Sequence, residues 1–452
     1  MIKLSELNWG LLEVVYLLLI FILGIVFTYF IMPYIIALMK RKGFVGYDIH
    51  KNAKPEIPES GGLGILIGIL LTSFISIFLF PMFLNVIIVF ALTVISSGFI
   101  GYIDDRIRLR SRYKVILTIF TGTIIFLSNL YGLINIDSPT IPFLGKLRLT
   151  VIYPFIAPII VAVFANTVNM LEGYNGEGSG TSLIALIFLL ICSLIWDSTE
   201  GLLLSIISLA IIIPFFKYNK FPSKVFPGDV GTLSIGGMFA CIALIGSLEA
   251  AVFCALLVHI FNSFYVLYSV KGFFESKDIQ EKKADVILLE NDYLKASDQK
   301  DAALTLPRLI LANGVLKESK LVNKFFVLSF VSGISSIITI LIMKWTVGTL
   351  DVVILLISLI IFGVIILLMI YAFKKIRGII MFMMILLIAG FLLLIAIKVF
   401  IMPLNLIDIN LFGLIFPTNI LISLAIVFPG LMLWYYISVK YFWVKIRNML
   451  AN

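Results

Sequence analysis

The chain has 452 residues, of which 61% are hydrophobic and only 13% charged. A water-soluble domain carries about 25% charged residues, and a soluble core from a chain of this size cannot bury so much apolar surface, so soluble enzymes and soluble scaffolds are excluded. The net charge of +9 fits an anionic membrane face rather than nucleic acid, and no nucleic-acid partner is expected.

The apolar residues fall in runs of about 20, the length that crosses ~30 Å of hydrocarbon. In chain order these runs predict thirteen spans, near 9–39, 62–81, 85–103, 115–132, 151–168, 181–196, 200–216, 230–247, 249–270, 325–343, 351–373, 379–400 and 411–438. The expected fold class is therefore an all-α polytopic membrane protein. Ten spans form a membrane core over 1–345, which includes the loop 271–324, and about three more helices follow over 346–452. The joins near Pro81, Trp196 and Gly246 are short. The first run is too long for the apolar part of a signal peptide and no small-residue cleavage site follows it, so it reads as a permanent first helix. Cys192, Cys241 and Cys254 lie in or beside spans at no metal-like spacing and read as small apolar core residues.

Alternating thirteen spans sorts the loops onto two sides. Only Lys3, Lys146, Arg148, Lys344 and Lys398 fall on one side, and the other 29 of the 34 Lys and Arg fall on the opposite side. Lys and Arg accumulate in cytoplasmic loops, so the basic side is expected to be cytoplasmic, with the N-terminus outside and the C-terminus inside.

Four polar, Gly-rich loops lie on that basic side. The first reads Gly46-Tyr47-Asp48-Ile49-His50-Lys51 and continues through Lys54-Pro55-Glu56-Ile57-Pro58-Glu59-Ser60 to Gly61-Gly62. Two prolines hold it extended before a helix start whose bare N–H groups favour anions; a merely proline-stiffened loop accounts for the same pattern. The second places Asp104-Asp105 at a membrane boundary, followed by Arg106, Arg108, Arg110, Arg112 and Lys114. Paired carboxylates there repel each other and are costly to bury, a cost that a divalent metal or a nearby cation relieves. The bases serve either to hold lipid phosphate or to anchor the positive-inside face.

The third loop carries Asn166 and Asn169, three residues apart and hence on one helix face. It runs on through Met170-Leu171-Glu172-Gly173-Tyr174 to a turn at Asn175-Gly176. Caps and turns are the structural alternative for these Asn. The fourth, Phe226-Pro227-Gly228-Asp229-Val230-Gly231-Thr232, sets one acid at the mouth of an apolar helix, where an acidic N-cap is the alternative reading. A channel or transporter would place its key polar groups near the bilayer midplane. Their gathering on one face instead predicts an interfacial enzyme.

The long loop 271–324 holds 10 Lys and Arg against 9 Asp and Glu, so it is no polybasic lipid clamp. A strand is expected at Val286–Leu289. A short helix capped by Thr305, with Pro307 in its first turn and Gly314 at its end, is expected beyond it. It reads as a lid over a ligand, or else as a solvated linker. His259 and Asn262, one turn apart in the ninth span, read as satisfied interior polar groups. The last three spans carry no motif and read as scaffolding or oligomer contacts.

Taken together, the four ordered loops over roughly residues 45–240 resemble the polyprenyl-phosphate N-acetylhexosamine-1-phosphate transferase superfamily. Ile57-Pro58-Glu59-Ser60, the Asn-Gly end of the third loop and, loosely, Leu304-Thr305-Leu306 with Gly314-Val315-Leu316 resemble its archaeal and eukaryotic UDP-GlcNAc:dolichyl-phosphate branch. The resemblance implies that UDP-GlcNAc and polyprenyl (dolichyl) phosphate give GlcNAc-diphospho-polyprenol and UMP. That is the first step of lipid-linked oligosaccharide assembly for N-glycans. It implies Mg²⁺, with Mn²⁺ as the alternative ion, held by Asn169 and Asp229. It further implies Lys114 as a phosphate contact, and Asp104 and Asp105 as the paired aspartates that position or deprotonate the lipid phosphate in a single displacement. Glu59, Asn175 and Phe226 match positions near the uridine, and Lys51 and Asn166 complete the expected substrate-binding set. An archaeal plasma membrane is the expected location, with the endoplasmic reticulum as the alternative, the active site facing the cytoplasm and a homodimer as the expected assembly.

Three departures qualify the resemblance. The only histidines are His50 and His259, against the His-rich motif of bacterial cell-wall members. The closely spaced arginines that grip the diphosphate in the animal enzyme are replaced by Lys271, Lys277, Lys282-Lys283 and the later Arg308, so the gripping base is open. Glu172 stands where the dolichol-type pattern has a small residue. The competing readings are a bacterial-type transferase using undecaprenyl phosphate with another UDP-N-acetylhexosamine and, more distantly, a lipid or solute transporter.

Overall fold

Inside a bilayer every backbone N–H and C=O must find its partner within the protein, and the α-helix does this within one segment. The apolar runs fold accordingly. The computed structural model describes residues 3–6, 9–147, 149, 152–271, 279, 283–299, 301–404, 406, 408–411 and 414–451. Helix α1 (Leu11–Arg41) leads into a hairpin of β1 (Val45–Tyr47) and β2 (Glu56–Pro58), in which Gly46 pairs with Ile57. There follow α2 (Gly62–Leu79), α3 (Leu84–Ile107) and α4 (Ser111–Leu130), then a small hairpin of β3 (Thr140–Ile141) and β4 (Gly145–Lys146). Next come α5 (Tyr153–Leu171), α6 (Glu177–Trp196), α7 (Thr199–Asn219), α8 (Gly228–Ile245), α9 (Glu249–Ala255) and α10 (Leu257–Val270).

The long loop holds an antiparallel sheet of β5 (Val286–Leu288), β6 (Tyr293–Ala296) and β7 (Leu316–Lys317), with α11 (Leu306–Leu311) between its last two strands. Thr305 caps α11 by accepting the Arg308 N–H at 3.2 Å, and Pro307 lies in its first turn, as expected. The chain closes with α12 (Glu318–Thr346), α13 (Val352–Ala372), α14 (Arg377–Phe400), a hairpin of β8 (Ile409–Leu411) and β9 (Leu414–Phe416), and α15 (Thr418–Ala451).

Among the described residues eleven helices are long and apolar enough to cross a membrane, and the protein is an all-α polytopic membrane protein. Two expected spans need correction. The ninth, 249–270, is broken into α9 and α10, bent by 70° at Leu256, and counted as one span it makes a twelfth. The last, 411–438, has its helix begin at Thr418, because Ile409–Leu411 and Leu414–Phe416 pair as β8 and β9; the helix's apolar stretch, Thr418–Val427, falls among the shorter apolar helices.

Helix α8 is the hub. Of its most apolar window 89% is buried inside the protein, against 22% for α1 and 11% for α13. Helices α3, α5, α2 and α7 pack around it. The three cysteines are buried and free, as small core residues.

Candidate functional site

The second loop is short because α3 stops at Ile107, Arg108 takes a left-handed conformation (φ 52°) and α4 restarts at Ser111. This turn aims Lys114, in the first turn of α4, back at the end of α3. There the Lys114 ammonium pairs with the Asp104 carboxylate, and it reaches Asp229 Oδ2 at 2.6 Å. The Lys114 and Asp104 side chains are nearly inaccessible, at 3% and 4% exposed, whereas Asp229 keeps 19%. Asp229 is thus the open edge of a buried ion cluster.

Asp105 points the other way along α3. Its Oδ1 accepts the Asp229 N–H at 2.8 Å and its Oδ2 accepts the Ser60 hydroxyl at 2.8 Å. It therefore stitches the first loop to the start of α8. Two glycines make this fit. Gly228 has φ 64°, and a Cβ there would lie 2.4 Å from Asp105 Oδ2. Gly101 lets α3 touch α8 directly, because a Cβ there would lie 2.2 Å from the Asp229 carbonyl oxygen. Arg106 lies over the Phe44 ring and reaches Ser60 Oγ at 3.4 Å, holding the hydroxyl in place.

Asn169 sits on the last turn of α5, 6% exposed, against this cluster. With its amide oxygen toward Thr232 it accepts that hydroxyl at 2.6 Å. Turned over, its NH₂ donates to Asp229 Oδ1 at 3.0 Å and its oxygen accepts from Lys114 at 3.3 Å. In the first orientation the amide oxygen and Asp229 Oδ1 face each other across 3.0 Å, a contact that only a cation between them would satisfy; without one, the turned-over amide satisfies Thr232, Asp229 and Lys114 together. The donor set of one amide and one carboxylate fits Mg²⁺, which takes few protein oxygens and leaves its other positions to phosphate and water. Asn169, Asp229, Lys114, Asp104 and Asp105, carried by three of the four loops, thus lie together at one place.

A second buried cluster lies where the first and third loops meet the start of α12. Glu318, 1% exposed, accepts the Asn175 N–H at 2.7 Å and pairs with the Lys51 ammonium. The Asn175 NH₂ donates to Asp48 Oδ2 at 2.9 Å and to Glu318 Oε2 at 3.4 Å. Asp48 Oδ1 accepts the His50 N–H at 3.1 Å, and the His50 ring stacks on Tyr174 at 4.3 Å. Burial pushes the His50 ring down to about 4, so it is neutral at neutral pH. Ligand atoms of Asp48, His50 and Glu318 lie within 4.8 Å of one another. The Lys51 ammonium and the Asn175 amide already supply the positive partners there.

The remaining expected residues take varied places. Glu59 is half-buried beside Gly46, and Phe226 is half-buried, its N–H donating to the Pro58 carbonyl at 2.8 Å. Asn166 lies one turn below Asn169, and its amide donates to Thr118 Oγ1 at 2.9 Å and to the Ala162 carbonyl at 2.8 Å, bracing α5 on α4. Asn262 does the work of an interior polar group: it donates to the Met170 carbonyl at 2.9 Å and accepts the Leu306 N–H at 3.1 Å.

Glu172 accepts the Gly178 N–H at 2.9 Å at the start of α6, and burial pushes its carboxyl up to about 8 against that bond. Arg308 directs all of its guanidinium N–H groups to the carbonyls of Ser297, Gln299, Ala302 and Ala303. It is a clasp of the long loop. Arg148, Lys277 and Lys282 lie outside the described residues. Sequence reasoning missed Ser60, Thr232 and Glu318 as site residues. Ser60 and Thr232 flank quoted motifs, but nothing local marks Glu318, which reaches the cluster only through the fold.

The pattern of glycosyl transferase family 4 matches residues 86–247, from α3 to the end of α8. A protein of Sulfolobus acidocaldarius, provisionally named a UDP-N-acetylglucosamine–dolichyl-phosphate N-acetylglucosaminephosphotransferase, is 33% identical over 53% of this chain and 74% of its own length. A provisionally named glycosyltransferase of Methanocaldococcus jannaschii is 31% identical over 69% of this chain and 96% of its own. A phospho-N-acetylmuramoyl-pentapeptide-transferase of Staphylococcus aureus is 32% identical over 56% of this chain and 83% of its own.

Proposed function

We propose that this chain, which belongs to glycosyl transferase family 4 and is a membrane-embedded polyprenyl-phosphate phosphosugar transferase, moves GlcNAc-1-phosphate from UDP-GlcNAc to dolichyl phosphate at the cytoplasmic face. An oxygen of the lipid phosphate attacks the β-phosphorus of UDP-GlcNAc, the bond from that phosphorus to the bridging oxygen breaks, and UMP leaves. Both substrates are anions, so catalysis rests on positioning and charge neutralisation. A phosphate monoester is already largely dianionic at neutral pH, its second pKa being about 6, so little proton removal is needed.

Asn169 and Asp229 would hold Mg²⁺, which supplies Lewis-acid neutralisation of phosphoryl oxygens when bound. Lys114 is held by Asp104 and Asp229 for contact with phosphate. Asp104 and Asp105 act as positioning residues: one pins Lys114, the other pins the turn that presents Asp229. The assignment to the cytoplasmic face rests on the 29 of 34 Lys and Arg sorted to that side. The dolichyl acceptor and GlcNAc are supported by the name of the Sulfolobus relative.

The observation that carries the reading is the convergence of Lys114, Asp104, Asp229 and Asn169 from four chain segments. The test is UMP release by purified protein given UDP-GlcNAc, dolichyl phosphate and Mg²⁺, with and without EDTA. Lipid-dependent, EDTA-sensitive release is expected; no release with any UDP-N-acetylhexosamine and polyprenyl phosphate overturns it. The Staphylococcus relative, by its name a bacterial phosphosugar transferase, favours a second reading, a bacterial-type transferase, for which undecaprenyl phosphate is the acceptor to try. Competition between the two lipids decides between them.

A further inference from the structure

We infer that Glu318 is a positioning residue for the sugar-nucleotide subsite, setting Lys51 and Asn175 in place for the donor. The inference rests on the assignment of those two residues to donor binding. Glu318 belongs to none of the four loops, yet it is where two of them meet. Its carboxylate takes the Lys51 ammonium from the first loop and both the backbone N–H and the side-chain amide of Asn175 from the third. It is buried and opens α12, where the helix N-terminus favours an anion.

The residue also ties these loops to the long loop. Strand β7 runs directly into Glu318. One residue beyond Lys51, the Asn52 N–H donates to Asp292 Oδ1 at 2.8 Å and the Asn52 amide donates to the Leu289 carbonyl at 3.1 Å. The connection between β5 and β6 therefore grips the first loop on one side of Lys51 while Glu318 grips Lys51 itself. Two carboxylates, Asp48 and Glu318, face one lysine and one amide here. Buried ion pairs of this kind contribute little to stability; what they do here is fix the directions of the Lys51 ammonium and the Asn175 amide. None of these groups touches Lys114, Asp104 or Asp229 in any described hydrogen bond, so donor placement is separable from phosphoryl transfer.

Glu318→Gln keeps an acceptor for the Asn175 N–H and loses the charge that holds Lys51. It is expected to raise KM for UDP-GlcNAc about 10-fold, the loss of one charge-assisted hydrogen bond, with kcat within about twofold and KM for the lipid phosphate unchanged. Lys51→Met should have a similar effect, and the double variant should be no worse than the stronger single one, because the two side chains act as a unit. A wild-type donor KM in Glu318→Gln overturns the inference, as does an equal rise in both KM values, the mark of general loosening.

UMP binding by calorimetry separates this inference from the proposed function. If the wild-type protein binds UMP without turning over and Glu318→Gln weakens that binding, the positioning role stands and the proposed reaction falls. If turnover is confirmed and Glu318→Gln binds UMP as tightly as wild type, only the positioning role falls. A wild-type protein that neither turns over nor binds UMP overturns both.

Discussion

Gly101 and Gly363 both sit inside apolar helices, and they meet opposite surroundings. A Cβ on Gly101, in α3, would strike the Asp229 backbone, whereas a Cβ on Gly363, in α13, would find nothing within 4 Å. The contrast holds for the regions at large. Around α8, helices press together at glycine and serine, and the ionisable groups of three loops are locked between them. In α13 and α14 most side chains face outward, with 11% and 17% of the apolar windows buried. The family match ends at residue 247, inside the first region. Dense packing with buried charge is what a preorganised site requires, and loose apolar packing is what a lipid-facing helix tolerates.

The sharpest way to break this comparison is Asp229→Asn. Two carboxylates, Asp104 and Asp229, share Lys114, and Asp105 sits beside them on the Asp229 N–H, so removing the Asp229 charge relieves repulsion while Lys114 keeps Asp104. We expect turnover to fall by at least about 100-fold, with the thermal midpoint in detergent unchanged or raised. A variant that keeps its activity would remove Asp229 from the metal site. One that unfolds would make the cluster structural.

Gly101→Val tests the packing half of the contrast. The added side chain must push α3 away from α8, and overpacking of this kind costs about 1–3 kcal/mol. The thermal midpoint should drop and turnover should drop with it, since the displaced backbone is that of Asp229 and Val230. Normal activity would mean that the α3–α8 contact does not position the acid.

Much of this was readable from the chain. Spans of about 20 apolar residues mark themselves by length, and the loops that carry Asp104, Asn169 and Asp229 stand out as polar residues against helix ends. What could not be read was partnership. Nothing in the sequence says that Lys114 faces two acids, because that depends on the tight turn at Arg108. Nor does it say that Arg308 is spent on carbonyls, or that Glu318 closes on Lys51 from 267 residues away. The break at Leu256 was hidden because the residues around it, Ala250–Val258, are apolar on both sides, and hydropathy does not register a bend. The late start of α15 was hidden in the same way, since β8 and β9 are themselves apolar.

Two groups at the loop face predict a pH window. The folded-state pKa of Glu172 is raised from 4.5 to about 8 by burial. Its contribution is fully present below about 4.5 and is lost as pH rises through 8, because the unfolded chain releases the proton that the fold retains. His50 works at the other end: its folded pKa is lowered from 6.5 to about 4 by burial. Its contribution is full above about 6.5 and is lost as pH falls through 4. Each effect is on the order of a few kcal/mol. Thermal melts in detergent should show the alkaline decline between pH 5 and 9, flattened by Glu172→Gln. A Glu172→Gln protein with the wild-type pH profile would show that Glu172 is solvated.

The smallest effect belongs to the peripheral helices and completes the contrast with Gly101. Gly363→Ala in α13 and Gly390→Ala in α14 add a methyl group into open space. Replacing a mid-helix glycine by alanine gains up to about 1 kcal/mol of helix propensity. The thermal midpoint should stay the same or rise slightly, and donor KM, lipid KM and kcat should not move. If instead either substitution lowers turnover while the protein stays folded, the C-terminal helices touch the reaction. The expected division between a transferase core over 1–345 and added helices over 346–452 would then fall.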